Sequence, residues 1–251
     1  MCGREVLIRT GSPPPVYDPD YYPDTVNYLY HLDTGERREI VDRHSRREVF
    51  RNGLEDGRMF LFEGRRAALF SGLFHNTVRG RTVMRNTMVL MPDLDEPERV
   101  EVLHVGRARE KNWMPLAEDG RLYAVYSTRP WLLYDLADFS VVGEYEGLPE
   151  NWSGGSQVVP YGDGYLCVVH RRIGNWPDPA TRYEHAFVRM DAAFAPIDMS
   201  APFYFFGAGI EFCAGLDWHG SDLCLSFGRS DRDAYLLWVG SHASPPAEKP
   251  S

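Results

Sequence analysis

The amino-acid sequence predicts an all-β protein, specifically a five-bladed β-propeller. Three observations support this: a repeated pattern of turn and apolar strand, a composition suited to turns, and the lack of a helical apolar stripe. The 251 residues include 23 Gly and 18 Pro, and 13% of the chain is aromatic. Such a composition is typical of many short strands joined by tight turns.

The repeat is the strongest sign of organisation. Each unit has a Gly-containing acidic turn, a nearly continuous apolar strand, a polar loop and a second apolar strand, and units begin near Glu55, Glu118, Gly162 and His219. An earlier unit runs from Val6 to Val41. Five units in 251 residues average about 50 residues, a period typical of propeller blades. Apolar residues on both strand faces suit blades that stack face to face.

We expect one propeller domain over residues 1–243, followed by a disordered Pro-rich tail over residues 244–251. No apolar run reaches the ~18–20 residues that a membrane span requires, so no membrane association is expected. The N-terminal residues carry charge without an apolar segment behind them, which argues against a secretory signal.

The formal net charge is −9, which argues against binding to nucleic acid. The cations are 25 Arg and two Lys, so Lys111 is a candidate for a point-charge donor in a site. The four Cys show no spacing typical of a zinc site, and we expect no metal and no other cofactor. Reduced core thiols predict a cytoplasmic location.

In a propeller, polar residues at the ends of inner strands converge on one axial pocket. The candidates are polar or aromatic residues beside apolar strands, namely Glu55, Asp56 and Arg58; Lys111, Asn112 and Trp113; Gln157; His170 and His185; and Glu211. Among them, Glu211 lies inside an apolar run, where a carboxylate needs a partner or a shifted pKa.

Each candidate also has a purely structural interpretation. The acidic residues at 55 and 56 suit an ordinary turn before Gly57. Trp113 suits a buried core position beside a solvated Lys111, and a lone His is often a satisfied structural residue. The acids and arginines over residues 229–233 suit salt bridges within one blade.

The candidates are carboxylates, amides, aromatic rings and a few cations, an inventory that fits carbohydrate recognition and acid–base chemistry at a glycosidic bond. The sequence contains no H-E-x-x-H, no G-x-S-x-G and no dinucleotide-binding fingerprint.

Taken in order, these motifs resemble the five-bladed propellers of glycoside hydrolase family 130, the β-mannoside phosphorylases and hydrolases. The chain is similar above all to a divergent bacterial group often found beside glycosyltransferase domains. The resemblance is carried by short segments over most of the chain: Thr25–Tyr28, Leu54–Arg58, Glu110–Pro115, Gly154–Gln157, Tyr183–His185, Ile210–Phe212 and Ser226–Asp231.

The resemblance implies that Asp56 is the general acid and that Asn27 and Asp231 contact the sugar. It also implies that Lys111 and His170 hold inorganic phosphate as a co-substrate. The family usually has Pro where this chain has Gly57, and this difference predicts a freer loop.

The predicted function is cleavage or formation of a β-mannoside-type linkage by an inverting route. The ligand would be an oligosaccharide or a sugar phosphate, and Trp113 and Gln157 would line the sugar subsite. Glu211 would activate the attacking water. A glycosyltransferase domain is the predicted partner. Two alternatives stay open at this point: a non-catalytic glycan-binding or scaffold propeller, and a propeller that binds only proteins.

Overall fold

The described part of the chain consists of β-strands in five antiparallel sheets, with no helix. The computed structural model describes residues 4–11, 25–40, 50–78, 81–103, 105, 110–175, 178, 180–207, 209–230 and 232–240, with the backbone alone at residues 11, 50–52, 74–78 and 81–85. Each sheet is one blade, and the prediction of an all-β, five-bladed β-propeller is confirmed. None of the described segments is a helix that could cross a membrane.

The chain divides into two compact units, and the first comprises residues 2–112. Its first sheet has three strands, β1 (Glu5–Gly11), β2 (Thr25–His31) and β3 (Arg37–Ile40). Its second sheet has four strands in chain order, β4 (Phe50–Phe62), β5 (Arg65–Val78), β6 (Arg81–Met91) and β7 (Glu101–Leu103).

The second unit, from Trp113 onwards, contains three sheets. The first has β8 (Met114–Glu118), β9 (Arg121–Thr128), β10 (Trp131–Asp135) and β11 (Val141–Tyr145). The next has β12 (Ser153–Gly154), β13 (Val159–Tyr161), β14 (Gly164–Ile173), β15 (Arg182–Met190) and β16 (Pro196–Met199). The last has β17 (Glu211–His219), β18 (Asp222–Arg229) and β19 (Asp233–Gly240).

The apolar strands are buried on both faces because neighbouring sheets within each unit pack face to face. In β9, five consecutive residues from Leu122 to Tyr126 are buried, and in β14 the six residues from Tyr165 to His170 are buried. One core cluster joins side chains of β8–β10 with those of β14 and β15, and a second joins β14 with β17 and β18. The apolar residues on both faces of these strands are therefore explained by the stacking of blades.

One element of the predicted repeat is wrong. The sequence predicts a turn at Asp56-Gly57, but both residues lie inside the long strand β4, and the hairpin turn that follows β4 is at Glu63-Gly64. By contrast, Asp119-Gly120 forms a hairpin turn between β8 and β9, as expected. The two segments share the sequence Glu-Asp-Gly-Arg but occupy different structures.

Gly57 is closely packed rather than free. A Cβ built at this position lies 2.5 Å from Cδ2 of Leu7 and 2.6 Å from Cε1 of Phe70, both in the interior of the first unit. The absence of a side chain at Gly57 therefore allows β1, β4 and β5 to approach one another, and the prediction of a freer loop does not describe this strand.

We expect Gly57→Ala to lower the free energy of unfolding by about 1–3 kcal/mol, because Leu7 and Phe70 must move to admit a methyl group. Urea denaturation measures the change. Gly240→Ala is the matched control, since no atom lies within 4 Å of its Cβ position, and its effect should stay within about 0.5 kcal/mol. Equal stabilities for the two variants would contradict the packing argument.

Candidate functional site

Asp56 lies in a β-bulge in the middle of β4. Glu55 pairs with Ser71 and Arg58 pairs with Leu69, so Asp56 and Gly57 together stand opposite a single residue of β5. The backbone of Asp56 has φ of 51°, in the left-handed region that Asp tolerates better than most residues. Bulges redirect side chains, and residues held in this region of φ cluster at functional sites.

Three charged side chains meet at this bulge. Nη1 of Arg9 lies 3.4 Å from Oε1 of Glu55 and 3.8 Å from Oδ1 of Asp56, and all three side chains are partly exposed. Two adjacent carboxylates thus share one guanidinium at a surface that solvent reaches. Arg9 was not predicted from the sequence, because Leu-Ile-Arg-Thr on β1 has the pattern of an ordinary strand.

Arg58 and Asn27 support the bulge from inside. Arg58 is fully buried, and its Nη1 donates a hydrogen bond of 2.9 Å to the carbonyl oxygen of Asp56. Asn27 is buried on β2, and its Nδ2 donates a hydrogen bond of 2.9 Å to the carbonyl oxygen of Leu54. The structure therefore places Asn27, Glu55, Asp56 and Arg58 close together, and the side chains of Asn27 and Arg58 bond to backbone.

The segment before β8 combines an exposed cation with a buried ring. Lys111 is exposed and makes no ion pair with a described carboxylate, whereas Asn112 is half-buried with φ of 64°. Trp113 is only 1% exposed and packs against Tyr126 with ring centroids 5.1 Å apart. A buried Trp beside a solvated Lys was the structural alternative for this motif, and it is the arrangement observed.

In the second unit, His170 and His185 face each other across β14 and β15. Their rings are buried with centroids 6.5 Å apart, and they are surrounded by aromatic side chains, namely Tyr183, Phe203, Phe205 and Phe212. Burial lowers the pKa of His185 to about 4, against a weaker opposing effect of the Glu211 backbone. At neutral pH His185 is therefore an uncharged ring in an apolar setting.

Glu211, at the start of β17, is fully buried and holds a turn. Its Oε2 accepts a hydrogen bond from the backbone N–H of Phe205 and its Oε1 accepts one from that of Phe206, both at 2.9 Å. Each carboxylate oxygen thus has a backbone donor, which is the partner that burial of a carboxylate requires.

Gln157 makes a comparable bridge. Its side-chain amide donates to the carbonyl oxygen of Leu216 and accepts from the N–H of the same residue, at 3.1 Å for the second bond. Gln157 is 2% exposed, so its amide fastens the segment before β13 to β17 and offers no open polar atom. Asp231 lies outside the described residues, and its sugar contact stays a prediction.

The predicted residues therefore form one cluster in each unit: Asn27, Glu55, Asp56 and Arg58 in the first, and His170, His185 and Glu211 in the second. The convergence of Asp56, Lys111 and Glu211 on one funnel stays a prediction. Within the described segments, no group of three or more His, Cys, Asp or Glu side chains is placed to hold a metal ion.

The low pKa of His185 predicts a loss of stability on acidification. Above its ordinary pKa of 6.5 the ring is neutral in both states, whereas below it the unfolded chain takes up a proton that the folded chain resists until about pH 4. We expect this residue to contribute about 2 kcal/mol less stability at about pH 5 than at about pH 7.5. Denaturation at both pH values should show a smaller difference for His185→Phe than for the wild type. His31→Gln, at the half-buried last residue of β2, is the control, and an unchanged difference in His185→Phe would contradict the assignment.

The hydrogen bonds of Glu211 predict a structural effect of Glu211→Gln. An amide group cannot accept from both N–H donors, so one backbone N–H loses its partner and the free energy of unfolding falls by about 1–3 kcal/mol. Thermal and urea denaturation measure this, with the exposed Glu144→Gln as control. A variant as stable as the wild type would contradict a bracing role for Glu211.

No known family model matches this chain, and none of the curated proteins matches it in sequence. Solved structures do match it. A glycosyl hydrolase from Bacteroides ovatus aligns over 98% of this chain and 85% of its own, with a TM-score of 0.63 and 10% identity. A structure from glycoside hydrolase family 130, described as a family of mannoside phosphorylases that contains glycoside hydrolases targeting β-1,2-mannosidic linkages in Candida mannan, aligns over 98% of this chain and 83% of its own (TM-score 0.62, 12% identity).

A third match is the β-1,2-mannobiose phosphorylase from Listeria innocua in complex with β-1,2-mannobiose. It aligns over 86% of this chain and 66% of its own, with a TM-score of 0.55 and 15% identity. At such identities the similarity concerns the fold. It confirms that the chain has the propeller fold of the family 130 proteins that its short motifs resemble.

Proposed function

We propose that this protein is a carbohydrate-active enzyme that cleaves or forms a β-mannoside-type linkage by an inverting route, with Asp56 as the general acid. The observation that carries the proposal is the geometry of Asp56. Its carboxylate is partly exposed on a bulge with positive φ beside Arg9 and Glu55. The resemblance to family 130 implies an acid at this position.

In the proposed reaction, Asp56 gives a proton to the glycosidic oxygen, directly or through a sugar hydroxyl, as the bond from that oxygen to the anomeric carbon breaks. An oxygen of phosphate or water forms the new bond to the anomeric carbon from the opposite face, and the proton it releases restores the acid. With phosphate the product is a sugar 1-phosphate, and with water it is the free sugar.

The observed contacts of the other predicted residues restrict the roles that we propose for them. Arg58 and Asn27 position the bulge, since both donate to backbone carbonyl groups beside Asp56. Glu211 positions a turn, and we do not assign it the activation of water, because both its oxygens already accept hydrogen bonds. Lys111 is the exposed cation proposed to meet an incoming anion. Phosphate as co-substrate, a glycosyltransferase partner and a cytoplasmic location stay predictions.

A non-catalytic glycan-binding propeller is the second candidate. Two observations favour it. Both carboxylate oxygens of Glu211 accept backbone hydrogen bonds, so Glu211 is not available as a base. In addition, the position where the family usually has Pro is occupied by the closely packed Gly57. Such a module would bind the same sugars and release no product.

The deciding experiment incubates the protein with β-linked manno-oligosaccharides, with and without phosphate, and measures mannose 1-phosphate and mannose. We expect Asp56→Asn to lower turnover by about 10²–10⁴-fold, the usual contribution of a general acid. Asn also tolerates positive φ, and the partly exposed pair with Arg9, whose charged atoms are 3.8 Å apart, contributes on the order of 1 kcal/mol or less, so the melting temperature should hardly change.

Asp119→Asn is the matched control for Asp56→Asn. Asp119 has the same flanking sequence and φ of 48°, but it lies in an exposed hairpin turn. Its variant should keep full turnover. A fully active Asp56→Asn protein would remove Asp56 from the mechanism, and saturable sugar binding by a wild-type protein that forms no product would support the non-catalytic module.

A further inference from the structure

An exposed aromatic residue, Phe206, is held in place by a buried carboxylate. It is 52% exposed, yet its backbone N–H donates to Oε1 of Glu211, which is fully buried. The preceding residue is fixed equally well: the ring of Phe205 stacks on that of Phe227 with centroids 3.8 Å apart and planes 8° apart. Phe206 is therefore a positioned ring on the surface and not the tip of a loose loop.

Two further side chains complete this surface. The guanidinium carbon of Arg229, at the end of β18, lies 4.9 Å from the ring centroid of Phe206. The ring of Tyr235, on β19, meets that of Phe206 edge-on at 4.8 Å. We name Phe206, Arg229 and Tyr235 the aromatic–arginine platform.

The guanidinium of Arg229 forms no ion pair with a carboxylate in the described part of the chain. Asp233 is its partner in the register of β18 and β19, but the two side chains form no ion pair, and no other described carboxylate lies within 4 Å of Arg229. Arg229 and Asp233 therefore do not form the salt bridge that the sequence suggests for this segment. A cation with no ion-pair partner among the described carboxylates, in a chain with a net charge of −9, favours an anionic ligand.

We propose that the aromatic–arginine platform is a binding subsite for a sugar unit that carries a negative charge, such as a hexose phosphate or a hexuronate. The apolar face of the sugar ring lies against the exposed surface of Phe206, and two anionic oxygens accept hydrogen bonds from the planar guanidinium of Arg229. An aromatic ring rigidified before binding lowers the entropic cost of association.

The test of this subsite measures binding and does not depend on turnover. Calorimetric titration of the full-length Asp56→Asn protein measures binding of mannose 6-phosphate, glucuronate, mannose and inorganic phosphate. We expect the charged sugars to bind about tenfold or more tightly than mannose, the size of one charge-assisted hydrogen bond. The phosphate and carboxylate arms decide which anion is preferred.

Variants locate the binding site. In the same background, Arg229→Gln should remove the preference for charged sugars, and Phe206→Leu should weaken the binding of each charged sugar by about tenfold, whereas Phe206→Tyr keeps a ring and should bind as before. Arg182→Gln is the matched control, because Arg182 also lies over an aromatic ring but bonds to the hydroxyl of Tyr204. Thermal unfolding of each variant verifies that it is folded.

Four outcomes would overturn the proposal: no binding of any sugar, equal affinity of the wild-type platform for charged and neutral sugars, unchanged binding in Arg229→Gln, or inorganic phosphate binding as tightly as mannose 6-phosphate and unaffected by Phe206→Leu. The last result would mean a simple anion site without sugar recognition. An absence of any sugar binding would point to a protein-binding surface instead. Each result stands whether or not Asp56 proves to be the acid.

Discussion

Backbone groups at strand ends and bulges must find partners inside sheets that are packed on both faces, and this requirement governs the polar residues of the protein. Arg58, Asn27, Gln157 and Glu211 are all buried, and each makes its described hydrogen bonds to backbone atoms. An unpaired backbone group costs about 1–3 kcal/mol when buried. These four polar side chains therefore stabilise the backbone, and the residues that they position are the better candidates for binding or catalysis.

Two of these braces each hold a residue that is more exposed. Buried Arg58 bonds to the carbonyl oxygen of Asp56, whose own carboxylate reaches the surface. Buried Glu211 bonds to the amide of Phe206, whose ring is half exposed. Glu211 attracts attention in the sequence because a carboxylate in an apolar run is conspicuous, whereas Phe206, which it positions, has an ordinary sequence context.

The sequence suffices for the fold but only in part for the site. Two-sided apolar strands at a blade-like period predict stacked sheets, since few other structures bury such strands. The segment Glu-Asp-Gly-Arg, however, occurs twice with opposite outcomes: a hairpin turn at Asp119 and a bulge within β4 at Asp56. Asp has positive φ at both positions, so local preference is equal. The difference arises from register with β5 and from packing of Gly57 on Leu7 and Phe70, both set by distant residues.

The cationic side chains also divide into those that form ion pairs within the protein and those that could bind a ligand. Arg171 pairs with Glu184, whose pKa is held below its usual range by the hydroxyl of Tyr204 and by Arg171, and Arg66 similarly lowers the pKa of Asp95. The charges of Arg171 and Arg66 are therefore compensated by carboxylates of the protein itself. Lys111 and Arg229 make no ion pair with a described carboxylate although acidic residues outnumber basic ones by 36 to 27. Cations kept apart from abundant carboxylates retain their full attraction for an incoming anion, so in an acidic protein the unpaired positions indicate where an anionic ligand would bind.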